Sequence, residues 1–305
     1  MNLLNLYTKI YGSLYNRVGI HYLFFSPIRF LVRKIANISL PYFLSKPCAH
    51  SSQRIPDLII SFTSFPARIK NVWMVVESIK RQSYLPEKII LWLSDEQFRS
   101  YEELPDKLKE EEDSLFEIKF VPNDLRSHKK YMYAFLQFPK KTIITIDDDI
   151  FYHPDTIKFL VDGNRTYPNN IIANCTKKIL YNDDEIMPYN LWEQRRIKIF
   201  ESEDLVQIGV GGVLYPPQLL DKIVVDDNLF MSLAPTADDL WLNSIARYSN
   251  VKIVQSGLKI LFLPIESKTP SLSSSNKYEG KNDEQLGNIN SYMKEHMNIN
   301  LYHTK

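Results

Sequence analysis

Thr142-Ile143-Ile144-Thr145-Ile146-Asp147-Asp148-Asp149 is an apolar run closed by three acids. The run reads as a buried strand, because β-branched Ile and Thr suit a pleated chain. Three carboxylates at the end of such a strand need cationic company, since an unpaired buried charge costs several kcal/mol or shifts its pKa by units. Side chains alternate along a strand, so Asp147 and Asp149 are expected to share one face and Asp148 the other. Two converging carboxylates are a hard-oxygen site for Mn2+ or Mg2+, with water and diphosphate oxygens completing the shell. The plainer alternative is a solvated turn, or a cap for a helix after Pro154.

Upstream of this run the chain alternates. Leu58-Ile59-Ile60-Ser61-Phe62 reads as a strand ending in the polar turn Thr63-Ser64-Phe65-Pro66, and Val72, Val75, Val76 and Ile79 follow at helical spacing. Lys88-Ile89-Ile90-Leu91-Trp92-Leu93 is a second strand. A charged helix over 106–112 leads to Glu117-Ile118-Lys119-Phe120-Val121, and a helix over 129–136 leads back to the opening run. Four strands separated by helices predict an α/β fold with a Rossmann-like, mainly parallel central sheet flanked by helices. Ligands of such sheets gather beyond the carboxyl ends of the strands. That places interest on residues 63–68, Asp95, 123–130 and 147–149. Downstream, 171–175, 251–254 and 260–263 read as strands, 206–215 as a Gly-bearing apolar stretch and 236–248 as a helix. Residues 182–196 read as a polar loop and 271–275 as a flexible Ser patch.

Two more segments carry chemistry. Asn123-Asp124-Leu125-Arg126-Ser127-His128-Lys129-Lys130 puts cations at a helix N-terminus, where Lys129 or Lys130 suits a diphosphate. His128 has no partner at ligand spacing and is read as structural. In Ala234-Pro235-Thr236-Ala237-Asp238-Asp239-Leu240-Trp241 a pair of acids opens a helix. The pair is either a response to the helix dipole or a general base for an acceptor hydroxyl. Gly209-Val210-Gly211-Gly212 lets backbone approach a sugar closely, or marks a bulge. Gly211, Gly212 and Trp241 are assigned to the acceptor or sugar.

This ordered set resembles the nucleotide-diphospho-sugar transferases, the GT-A glycosyltransferases, over residues 56–264. It looks most like bacterial enzymes that decorate surface polysaccharide or lipopolysaccharide. The resemblance implies that Asp147 and Asp149 occupy the DxD positions that bind metal and the donor's ribose and diphosphate. It implies that Thr63, Phe65 and Arg68 hold the nucleotide base, with Asp124, Lys129, Lys130 and Asp148 beside the donor. A UDP-sugar is the favoured donor and a glycan or glycolipid the acceptor. Asp238-Asp239 stands where inverting members have Glu-Asp, whose second acid is the base. That favours Asp239 over Asp238. Asp replaces Glu at 238, and the third metal ligand has no clear match, with His296 and His303 as candidates. The rival readings are an Asp-dependent phosphohydrolase and a non-catalytic carbohydrate-binding protein.

The 305 residues are 44% hydrophobic and 24% charged, which suits a globular chain with a full core. A net charge of +1 implies no bulk affinity for nucleic acid. That charge is unevenly spread: residues 1–56 hold seven cations and no Asp or Glu, leaving −6 for the rest. Leu4, Tyr7, Tyr11, Leu14 and Val18 share a helical face, and 27–38 mixes Ile28, Phe30, Leu31, Val32 and Ile35 with Arg29, Arg33 and Lys34. Such a segment, above all residues 1–46, suits an anionic membrane surface. It equally suits a helical extension packed on the catalytic domain or on a second subunit. The expected division is an N-terminal extension over 1–54, a catalytic domain over 55–270 and a tail or lid over 271–305. Cys48 and Cys175 are too few for a disulfide framework. No apolar run spans a bilayer and no secretory signal is evident, so the expected location is cytoplasmic, either free or peripheral on the inner membrane face.

Overall fold

The computed structural model describes residues 2–15, 20–47, 53–183, 185–195, 200–202, 204–258, 262–267 and 280–302. The chain opens with two helices, α1 (Leu3–Tyr15) and α2 (Ile20–Leu44). Asn2 Oδ1 accepts the Leu4 N–H (2.8 Å), satisfying one of the donors a helix start leaves unpaired. Leu4 and Tyr11 of α1, with Ala36, Leu40 and Leu44 of α2, are buried in one core with the sheet. Positions 36, 40 and 44 form a single inward stripe. The packed-extension reading therefore holds for this face of the N-terminal unit. The opposite face of α2 is open to solvent. Val18, the last residue of the predicted helical face, and Cys48 lie outside the described residues.

Strands β1 (Leu58–Thr63), β2 (Lys88–Ser94), β3 (Phe116–Val121) and β4 (Thr142–Thr145) are the four runs read from the sequence. All are parallel to their neighbours, in the order β4-β1-β2-β3. Helices α3 (Val72–Lys80), α4 (Asp106–Lys109) and α5 (Lys129–Gln137) make the crossovers. Ile60 and Phe62 face one core and Ile59 the other, so β1 is buried on both sides. After α6 (Thr156–Thr166) the sheet continues through β5 (Ile171–Ala173), β6 (Phe200–Ser202), β7 (Val213–Tyr215) and β8 (Ile253–Gln255). The full order is β6-β8-β5-β7-β4-β1-β2-β3. Only β6 and β7 run against the rest. The fold is α/β with a central, mainly parallel sheet flanked by helices.

Three expectations change. Residues 182–195 are not a bare loop: Tyr181–Asn182 pairs with Glu185–Ile186, and Glu193–Arg195 pairs with Thr176–Lys178, which also pairs with Leu205–Gln207. After α7 (Asp227–Leu233) and α8 (Asp238–Tyr248), the region read as a tail contains helix α9 (Lys281–Met297). Its Leu286, Ile289 and Met293 are buried in the α5–α8 core, so this helix is part of the domain. Residues 271–275, and most of the lid read there, lie outside the described residues. The strand read over 260–263 is Leu263–Pro264, paired with Ile150–Phe151. Among the described residues no helix is long and apolar enough to cross a membrane.

Candidate active site

Register brings the acids together. β1 pairs with β4 in parallel, Ser61 opposite Thr145, so both chains leave the sheet at its carboxyl edge side by side. β7 is antiparallel to β4 with Val213 opposite Thr145, so the Gly segment before it lies against the acids after β4. α8 is tied beneath: Gln207 Nε2 donates to the Asp239 carbonyl (3.0 Å) and Asn243 Nδ2 to the Leu205 carbonyl (2.9 Å). The start of α5 is fixed to β1, because Ser61 Oγ donates to the Lys130 carbonyl while accepting from Trp92 Nε1 (2.8 Å).

Five carboxylates meet here. Lys130 Nζ lies 3.1 Å from Asp147 Oδ1 and 2.9 Å from Asp238 Oδ2. Burial works against its charge, but Asp147, Asp238 and Asp239 outweigh burial and hold the ammonium well above its ordinary range. Burial also pushes Asp238 up, yet Lys130 wins and keeps this carboxyl below its ordinary value. Asp239 differs. Burial and the neighbouring Asp238 push it up to about 7, against Lys130 and the Gly209 N–H. That N–H stands 3.2 and 3.1 Å from the two Asp239 oxygens.

At the other end Arg68 Nη1 bridges Asp148 Oδ1 (2.7 Å) and Asp149 Oδ2 (2.9 Å). Ser64 Oγ donates to Asp148 Oδ2 (2.6 Å). The guanidinium also lies over the Phe65 ring, 5.3 Å from its centre. Burial raises Asp148 despite these partners. Asp149 is pushed up to about 7, by burial first and Asp147 second, with Arg68 opposing.

The strand alternation expected for the acids does not occur. β4 ends at Thr145, and Asp147 to Asp149 form a turn into Ile150–Phe151. Asp148 and Asp149 therefore share Arg68, while Asp147 turns toward Lys130. Among the described residues, no three His, Cys, Asp or Glu side chains form a ready-made metal cage. Charge nevertheless suits a cation: ion pairs to the five carboxylates come from Arg68 and Lys130 alone among the described residues, and two of the acids are held near pH 7. Mg2+ is commonly bound by one or two carboxylates, with water and phosphate oxygens making up the rest. Asp147 and Asp149 are the two turn acids of that kind, paired at present with Lys130 and Arg68. His296 stacks on Tyr292 with its Nδ1 near the Tyr292 carbonyl (3.1 Å) and takes no part, and His303 lies outside the described residues.

No family model matches the chain, and no curated protein matches it. Solved structures overlap with it at low identity. The chain is similar to UDP-glucose pyrophosphorylase complexed with UDP-glucose, at TM-score 0.43 and 9% identity over 80% of this chain and 99% of that one. It is also similar to UTP-bound UGPase from Acinetobacter baumannii, at TM-score 0.41 and 11% identity over 80% and 94%. A third is CMP:2-keto-3-deoxy-manno-octonic acid synthetase complexed with CTP, at TM-score 0.40 and 12% identity over 67% and 89%. These overlaps are loose, and the fold assignment rests on sheet order and register.

Several expected site residues stand elsewhere. Trp241 is fully buried, donates Nε1–H to the Val224 carbonyl (3.0 Å) and packs on Phe230, so it is a core residue and not a sugar contact. Lys129 turns away from the acids to pair with Asp124, near Gln97 Oε1 (3.2 Å). Asp124 also accepts from Gln97 Nε2 (2.7 Å), so these three make a separate polar knot. Thr63 Oγ1 is engaged with the Trp92 carbonyl (2.8 Å). His128, buried and lowered to about 4 by burial, binds Tyr131 and the Ala234 carbonyl (2.8 Å each) as a neutral tie between α5 and the α8 entrance.

The glycines also divide differently. A Cβ on Gly211 would crowd Asn174 and Cys175 at 3.1–3.2 Å, and Gly212 turns the chain at φ +84°, so both shape the backbone and do not face the acids. Gly209 does: a Cβ there would meet Lys130 Nζ at 3.0 Å, Asp239 Oδ1 at 3.3 Å and Asp147 Oδ1 at 3.5 Å. Gly209 and Ser64 lie in segments the sequence singles out but without an assigned role there, and Gln207 carries no sequence signal. Gly209 heads the Gly segment, but its alignment with Asp147 follows from antiparallel pairing that the sequence does not display.

Proposed function

We propose that this chain transfers a sugar from a nucleoside-diphosphate donor, a UDP-sugar above others, to a carbohydrate hydroxyl on a glycan or glycolipid, with inversion at the anomeric carbon. The carrying observation is Asp239: a carboxyl poised near pH 7, oriented by the Gly209 N–H, and set beside an acid turn with more carboxylates than cations. A base is most effective when its pKa lies near the working pH. Asp239 takes the acceptor's proton as that oxygen forms its bond to the anomeric carbon. The bond from that carbon to the diphosphate oxygen breaks, and its electron pair leaves with the diphosphate.

Lys130 keeps Asp238 ionised and orders the three acids around it, so that the proton-accepting role falls to Asp239. Arg68 fixes the turn by clamping Asp148 and Asp149 from the Thr63–Arg68 loop. A bound Mn2+ or Mg2+, held by Asp147 and Asp149, would supply positive charge for the departing diphosphate. An Asp-dependent phosphohydrolase carries its acids after the first strand, whereas here they follow β4.

The test is a panel of UDP-, GDP- and other nucleotide sugars with Mn2+, read as nucleoside diphosphate released with and without glycan acceptors. Release that Asp239→Asn lowers by about 10²–10⁴-fold, the usual scale of a general base, supports the reading. Wild-type activity in that variant, or phosphate release from simple monoesters with none from sugar nucleotides, contradicts it.

A further inference from the structure

Among the described residues, most of the exposed large hydrophobic side chains lie on α2. Phe24, Ile28, Leu31, Ile35, Ile38 and Tyr42 stand 41–78% exposed. Their spacing of four, three, four, three and four residues puts them on one straight stripe, opposite the buried Ala36, Leu40 and Leu44. From position 24 to 42 the stripe runs about 27 Å at the helical rise per residue. Scattered exposed apolar residues are ordinary, but a continuous apolar stripe of this length marks an interaction surface.

The flanks say what covers it. Lys46 Nζ lies 4.5 Å from the centre of the Tyr42 ring, and Arg33 and Lys34 both lie over Phe30 at 5.6 and 5.5 Å. Residues 1–56 contain no Asp or Glu. A second copy of this chain would set cation against cation along the stripe, which is costly at an interface. The helix also carries Pro27 and Pro41, and aromatic side chains along its exposed side, neither of which favours a regular two-helix seam. A groove of about 650 Å³ opens along the same helix, between Lys34, Ile38 and Pro41 on one wall and Lys70, Trp73 and Lys107 on the other. Its acids are outnumbered. Glu266 is shared by Arg33 (3.4 Å) and Lys34 (2.7 Å), which leaves that trio one positive charge. Asp106 pairs with Lys109 (2.8 Å), so Lys46, Lys70 and Lys107 keep this side of the helix cationic.

We propose that α2 lies flat on an anionic phospholipid bilayer, with the 24–42 stripe sunk among the acyl chains and the flanking cations at the phosphate level. An apolar stripe with cationic borders has the two attractions that interfacial helices combine. The docked helix is joined to the candidate active site by a short strap. Asn37 Nδ2 donates to the Pro264 carbonyl (3.0 Å), and Asn37 Oδ1 accepts the Glu266 N–H (2.8 Å). Between them, the Ile265 N–H donates to the Asp149 carbonyl (2.8 Å). Docking thus fixes the acid turn relative to the bilayer, as an acceptor carried by a lipid requires.

The experiment is co-sedimentation of the full chain with vesicles of phosphatidylcholine alone and of phosphatidylcholine with phosphatidylglycerol. Binding to the mixed vesicles is expected to exceed binding to neutral ones at least tenfold and to weaken in about 0.5 M NaCl, where the screening length falls below that of physiological salt. The triple substitution Leu31→Gln, Ile35→Gln and Ile38→Gln, all at exposed positions, should reduce binding at least tenfold with an unchanged circular dichroism spectrum. Absence of binding to anionic vesicles overturns the proposal, as does binding that the triple variant retains. A dimer in sedimentation velocity that the triple variant dissociates, without vesicle binding, gives the stripe to a second copy and also overturns it. Should the triple variant fail to fold, the lipid and salt dependence of the wild-type chain decides alone.

Discussion

Arg68 and Lys130 each stand between acids, and the two settings differ in balance. Arg68 serves Asp148 and Asp149, with Ser64 adding a hydrogen bond to Asp148. Lys130 faces Asp147, Asp238 and Asp239. Each end leaves one carboxyl held near pH 7, Asp149 at the first and Asp239 at the second. The two roles then separate by placement. Asp149 is in the turn beside Asp147, the place proposed for the cation and the diphosphate. Asp239 sits at the first turn of α8 beneath Gly209, the place proposed for the acceptor hydroxyl. Identical side chains thus take different work from the charges around them.

Removing either cation breaks the comparison. Lys130→Met leaves three acids facing one another with Lys130's charge gone, and is expected to cost about 3–5 kcal/mol, the scale for stripping one partner from a buried pair. Arg68→Met should cost less, because Asp148 keeps Ser64 and Asp149 is partly exposed. Urea unfolding of both variants checks the order; equal losses would show that the ends are not distinct.

A smaller effect comes from pH. Asp149 and Asp239 bind their protons more tightly in the fold than in the unfolded chain, since both stand near 7 against an ordinary value of 3.8. Their contribution therefore favours the fold at low pH and is lost as pH rises from about 4 through about 7. The metal-free chain should melt lower at about pH 8 than at about pH 5.5, and Mn2+ should raise the melting temperature more at the higher pH. His128 and His153, both lowered to about 4, pull the other way over the lower part of this window, so the carboxyls are read by difference. A pH dependence unchanged in Asp149→Asn would count against a raised Asp149. Lys129→Gln separates stability from turnover: Lys129 is buried and paired with Asp124, so the variant should unfold at lower urea. Turnover by the folded fraction should stay within about threefold of wild type, because Lys129 does not meet the five acids.

Much of this was legible in the chain. Buried parallel strands are apolar on both faces, so β1 to β4 stand out as short apolar runs, and the acids after β4 are visible by contrast. What failed was direction. Lys129 and Lys130 are neighbours in sequence but point about 100° apart around a helix, and only packing decides which one meets the acids. Asp147, Asp148 and Asp149 obey turn geometry because β4 stops at Thr145. Gly209 rather than Gly211 or Gly212 meets Asp147, for reasons set by the pairing of Val213 with Thr145. Trp241 lies on the inward side of α8, where an aromatic ring serves the core. α9 was hidden because Leu286, Ile289 and Met293 are set among polar residues, although their spacing is helical.

The central claim is that the acid turn and a nucleoside diphosphate share one divalent cation. Titration calorimetry of UDP into the wild-type chain, with Mn2+ and then with EDTA, and into Asp149→Ala with Mn2+, tests it most directly. Binding is predicted with Mn2+ in the wild type and a loss of at least tenfold in the other two titrations. Equal UDP affinity in all three would contradict it.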